Sequence, residues 1–161
     1  MSSRLRDNPP VTQPDPEHLR GLIDNSRVDE LLELVSVEEI ADAWWGVYGE
    51  PKDDSRKSLN WWAVALWHHD DFLKREEPRR DGLIALAERA PEDANLGQLG
   101  AGPLEDFIWA DDETIAWIEE QAARIPRFKT ALASVWLAQD TPDWVWERLD
   151  RAAGIKLDRP S

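Results

Sequence analysis

No stretch constrains this chain more than Leu96-Gly-Gln-Leu-Gly-Ala-Gly-Pro-Leu-Glu-Asp-Phe-Ile108, where three of its eight glycines and a proline gather between runs of helical pattern. The spacing predicts a helix start. Pro103 suits the first helical position, where its fixed φ helps and its missing N–H costs nothing, and Gly102 suits the cap before it. Glu105 and Asp106 then fall in the first turn, where the positive end of the helix dipole favours carboxylates. Leu104, Phe107 and Ile108 lie on one side and require apolar partners. Gly100, Ala101 and Gly102 are small enough for a neighbouring backbone to come close.

On both sides of this stretch apolar residues recur every three or four positions, and strict alternation never persists. Residues 1–15, with Pro9, Pro10 and Pro14 and few apolar side chains, read as a flexible tail, and 16–157 as a single all-α domain. A helix follows Pro16, and Ser26 is placed to cap the next. Ser36 and Glu39 form a capping-box pattern ahead of a helix ended by Gly49 and Pro51. A charged loop over 51–57 leads to Ser58, the expected cap of the most apolar helix, Leu59 to Leu73, which is read as central and stopped at Glu76-Glu77-Pro78. Later helices carry Leu83 to Ala90, Ile115 to Ile125 capped by Asp111 or Asp112, Phe128 to Trp136 opened by Pro126, and Trp144 to Ala152 opened by Thr141-Pro142 and closed by Gly154. The sum is a compact bundle of about seven to nine short helices, with HEAT-like helix pairs as an alternative layout.

Composition removes several function classes. With no cysteine there is no disulfide, thiolate nucleophile or Cys-zinc site. No signal pattern or membrane-length apolar run occurs, so a cytoplasmic chain without membrane partners is expected. The net charge of −14 is concentrated: nine acids and no Lys or Arg lie between Ala90 and Ala123. Such a field repels nucleic acid and attracts basic proteins. Ten tryptophans stand against three Phe and one Tyr. Neighbours on a helix cannot both face one core, so one member each of Trp44-Trp45 and Trp61-Trp62 is expected nearer the surface.

Trp-Trp-Ala at 61–63, Leu-Ile-Ala-Leu-Ala-Glu-Arg-Ala at 83–90, Leu-Gly-Ala-Gly-Pro-Leu-Glu-Asp-Phe-Ile at 99–108 and Pro-Arg-Phe-Lys-Thr-Ala-Leu-Ala-Ser-Val-Trp at 126–136 together resemble a bacterial family described as a domain of unknown function. The resemblance runs from Ser36 to Leu137, and Gly-Ala-Gly-Pro-Leu-Glu-Asp is its most specific part. It implies a small helical protein and lends no catalytic residue.

Two functional readings follow from the residues. The first is a non-enzymatic protein–protein interaction domain, of immunity or antitoxin type, that offers Glu105, Asp106, Asp111, Asp112 and Glu113 to a basic partner and needs no cofactor. The alternative is a metal-assisted hydrolase built on His68, His69 and Asp71, since His68 and Asp71 share one face of a continuous helix. The Gly100–Gly102 segment lacks the Gly-Lys-Ser/Thr ending and preceding strand of a phosphate loop. Glu105 and Asp106, pointing about 100° apart on a helix, do not converge on one substrate atom.

Overall fold

A computed structural model describes residues 14–49 and 54–161, giving the backbone alone for 54–58. Most of the expected tail, residues 51–53 of the expected charged loop, and the Ser58 side chain lie outside the described residues. The described chain is all-α, with no strand. Its first helices are α1 (Pro16–Asp24), α2 (Val28–Leu34), α3 (Val37–Tyr48), α4 (Asp54–Trp67), α5 (Asp70–Leu73) and α6 (Glu76–Glu88). A kinked element over 96–107 follows, made of α7 (Leu96–Leu99), a π-helical segment (Gly100–Leu104) and α8 (Glu105–Phe107). The chain closes with α9 (Asp112–Arg124), α10 (Pro126–Leu132) and α11 (Asp143–Ala153).

Local chemistry explains most boundaries. Ser36 Oγ accepts the Glu39 N–H at 3.1 Å while Glu39 Oε2 accepts the Ser36 N–H at 2.7 Å, the reciprocal capping box. Gly154 takes the left-handed conformation, φ 72°, that ends α11. Elsewhere the sequence expectations need correction. Ser26 does not cap α2: it sits at φ 56° in the preceding turn, and α2 has no side-chain cap. Thr141 does not cap α11, whose N-cap is Pro142. Helix α4 begins at Asp54, ahead of the expected Ser58, and ends at Trp67 instead of running on to Leu73. The break arises because His69 turns extended, φ −89° and ψ 129°, and its imidazole Nδ1 accepts the Asp71 N–H to cap the separate α5. Pro78 belongs to the first turn of α6, where a proline is tolerated.

Helix α3 lies between α4 and α6, and α1 packs on α4. This placement buries both Trp44 and Trp45, against the expectation that one would face outward. Trp45 Nε1–H reaches across to the Leu86 carbonyl on α6 at 2.9 Å, and the Trp44 ring lies 4.5 Å from that of Tyr48, one turn along α3, tilted at 47° to it. The other pair divides as expected, Trp62 buried and Trp61 exposed. The second half gathers on α10, a short helix with Phe128, Ala131 and Leu132 fully buried, which touches α6, α7, the π segment, α9 and α11. It takes the central place expected of α4, whose Leu59 and Trp61 face outward. Arg127 joins the halves, donating to the Glu88 and Ala90 carbonyls at 3.1 and 2.8 Å, groups the end of α6 leaves open.

Candidate functional site

The 96–107 element does not begin at Pro103: it is helical from Leu96 and bends at Gly102, where φ −135° and ψ −108° leave the helical range. Gly102 therefore interrupts a helix instead of capping one. Of the two glycines at 100 and 102, Gly100 is pressed by a neighbouring backbone, that of α10, while a Cβ on Gly102 would meet nothing within 4 Å. π segments of this kind often mark functional places. Just after the bend, Asp106 on α8 is exposed and lines two depressions.

The five carboxylates expected to form one acidic surface are used in different ways. Asp111 caps α9, its two oxygens accepting the Thr114 N–H and Oγ–H at 2.8 Å each. Asp112 pairs with Arg148 at 2.9 Å and Glu113 with Arg80 at 3.5 Å. Glu105 Oε2 accepts the Trp136 N–H at 3.0 Å. Asp106 has a side chain without hydrogen bond or ion pair among the described residues, although its carbonyl accepts from Arg79 at 3.4 Å. Other acids of the segment are engaged too: Asp93 by Arg127 at 3.1 Å, Glu119 by Arg148, Glu120 by Arg124 at 3.3 Å. Each exposed pair adds little stability, but together they cancel much of the local field. Apart from Arg124, on α9 itself, the arginines arrive from α6, α10 and α11, distant in sequence from the acids they meet, which is why the segment reads as uniformly acidic on its own.

Burial is the main influence that raises the Glu105 pKa, aided by the charge on Asp106 and opposed by the Trp136 N–H. The Asp111 pKa is lowered, first by the Thr114 N–H and then by its hydroxyl. Because the folded pKa of Asp111 lies below the unfolded one, the stability it contributes is present above the unfolded value. It is lost as pH falls through the folded value. Asp111→Ala is expected to cost about 1 kcal/mol at neutral pH, as for other N-caps. The difference from the parent protein should shrink on the acid side of the usual carboxylate range, as followed by urea denaturation across pH.

His68, His69 and Asp71 do not converge. His69 is spent on capping α5, and among the described residues no group of three or more His, Asp or Glu side chains is placed to hold a metal ion. The break after Trp67 is the physical cause, since it removes the continuous helix on which His68 and Asp71 would have shared a face. His68 instead lines a cleft of about 250 Å³ with Trp44, Tyr48, Trp67, Gln98 and Asp106.

The second depression is a groove of about 460 Å³ between the end of α8 and the segment leading into α11. Trp109, 66 % exposed, and Trp136, 58 % exposed, lie along it, with Ile108, Leu137 and Val145 supplying apolar surface. Glu105, Asp106 and Asp140 are its acidic lining residues, and no Lys or Arg lines it. The Asp140 side chain, like that of Asp106, has no bond among the described residues. Trp136, expected inside the helix opened by Pro126, lies beyond the end of α10 at Leu132, and Trp109 and Asp140 also lie in irregular segments, so the sequence pattern does not bring the three together.

No helix among the described residues is long and apolar enough to cross a membrane. No curated protein and no solved structure matches the chain. The groove, and the cleft apart from Trp44 and Tyr48, lie within residues 50–156, which match the family of unknown function DUF6869. Since that match covers more than half of its length, the chain belongs to this family.

Proposed function

We propose that the protein is a non-enzymatic interaction module whose groove between Trp109 and Trp136 receives a cationic segment of a basic protein partner. An immunity or antitoxin protein is one form such a module takes. The observation that carries this reading is the pair of exposed indoles flanking unpaired carboxylates, in a groove that no Lys or Arg lines. Exposed tryptophans that converge are typical anchors of binding faces. Covering each indole here contributes on the order of 3 kcal/mol before the entropic cost of association is met. Asp106 and Asp140, not consumed by internal pairs, then select a positively charged occupant.

The test uses a defined probe, acetyl-Arg-Leu-Arg-Leu-Arg-amide, titrated calorimetrically. Saturable binding is expected, weakening as salt rises. It should weaken at least about tenfold in the Trp109→Ala/Trp136→Ala double variant, the loss typical of truncated anchors. Both indoles are exposed, so the variant keeps its core. Unchanged affinity in that variant, or equal binding of the Glu-for-Arg peptide, overturns the reading.

A further inference from the structure

We propose that the cleft framed by α3, the end of α4 and the 96–107 element binds a small organic cation that carries an oxygen acceptor, of which choline is the simplest example. Its three aromatic lining residues, Trp44, Tyr48 and Trp67, come from two helices, and Asp106 stands at its edge. No Lys or Arg lines the cleft, and the Asp106 carboxylate there makes no hydrogen bond or ion pair among the described residues. Aromatic walls with a carboxylate form the environment that attracts alkylated ammonium groups. The volume of about 250 Å³ leaves room for a small ligand of this kind.

Polar groups unused by the fold supply the second half of the argument. The side chains of Tyr48, His68 and Gln98 form no hydrogen bond among the described residues, though all three line the cleft. An oxygen on the ligand supplies what the Gln98 amide and the Tyr48 hydroxyl lack, while the ammonium sits against the rings and Asp106. This site is separate from the proposed partner groove except at Asp106, which lines both.

Choline and its uncharged carbon isostere, titrated into the full-length protein with the indole N–H resonances as readout, test the proposal. Choline is expected to saturate and to shift the Trp44 and Trp67 signals while leaving Trp109 and Trp136 in place. The isostere should bind at least tenfold more weakly, as should choline to Asp106→Asn. Ala101→Phe, at an exposed position on the lining of the cleft, should block binding without disturbing the core. Absence of saturation, equal affinity for the isostere, or shifts confined to Trp109 and Trp136 overturns the proposal. Because the cationic peptide reports on the groove through different indoles, either site can fail while the other stands.

Discussion

Gly100→Ala is expected to destabilise the protein by about 3 kcal/mol or more, at the upper end of overpacking costs. A Cβ at this position would stand 2.0 Å from the Ala131 carbonyl oxygen and 2.9 Å from Ser134 Cβ. The first of these is backbone, so no side-chain rotation relieves it. The 96–107 element would have to lift from α10, loosening the seats of Leu96, Leu99 and Leu104, all fully buried. A loss of this size corresponds to a fall in melting temperature of roughly 6–12 °C for a chain of this length. Gly21→Ala is the contrast: a Cβ there meets nothing within 4 Å, inside α1. It should stabilise by about 0.5–1 kcal/mol through helix propensity and a less flexible unfolded chain. Denaturant midpoints measure both, and a Gly100→Ala protein as stable as the parent would refute the close approach on which the kinked element depends.

Arg79→Ala is expected to cost about 2 kcal/mol, because it leaves two part-buried carbonyls without their donor and removes the packing of a buried side chain. Arg79 is 7 % exposed. It donates to the Leu73 carbonyl at 2.9 Å and to the Asp106 carbonyl at 3.4 Å, with its guanidinium 5.1 Å from the centre of the Phe107 ring. Desolvation lowers its pKa, opposed by the charges of Asp106 and Glu76. One side chain thus fastens the end of α5 to α8 and sets the position from which Asp106 reaches both depressions. Arg79→Met should recover the packing share but not the hydrogen bonds, and Arg79→Lys should recover little, since an ammonium lacks the planar fork that spans two carbonyls. Denaturant midpoints for the three variants, in the order Met above Ala and Lys well below the parent, check this. Full stability of Arg79→Ala would show that α8 is held by other contacts.

What the sequence makes legible here is what residues within one turn of each other decide. Ser36 with Glu39, Asp111 ahead of α9, Pro126 opening α10 and Gly154 closing α11 can be read directly, since cap and N–H lie within a few positions. The all-α class follows from the spacing of apolar residues for the same reason. The separation of His68 from Asp71 turns on one local choice: the His69 imidazole caps α5 instead of extending α4, and periodicity does not register that competition. The pairing of the acidic segment is set at long range, because Arg80, Arg127 and Arg148 reach Glu113, Asp93, Asp112 and Glu119 only after folding. Trp44 and Trp45 are both interior because α3 has a helix on each side, a tertiary fact. The groove shows both limits: Glu105 and Asp106 are visible as acids at a helix start, but their meeting with Trp136 and Asp140 depends on how the chain returns after α10.

The Trp109–Trp136 groove is the face proposed to meet a cationic partner. The most direct measurement is a two-dimensional nitrogen–proton spectrum of the full chain titrated with acetyl-Arg-Leu-Arg-Leu-Arg-amide. Its ten tryptophans give ten indole N–H reporters spread over the molecule. The prediction is that the Trp109 and Trp136 signals move together with the amides of Asp106 and Asp140, that Trp61 stays still, and that added salt reverses the change. Small shifts spread evenly over the acidic surface, or movement at Trp61 with none at Trp109 and Trp136, would contradict it.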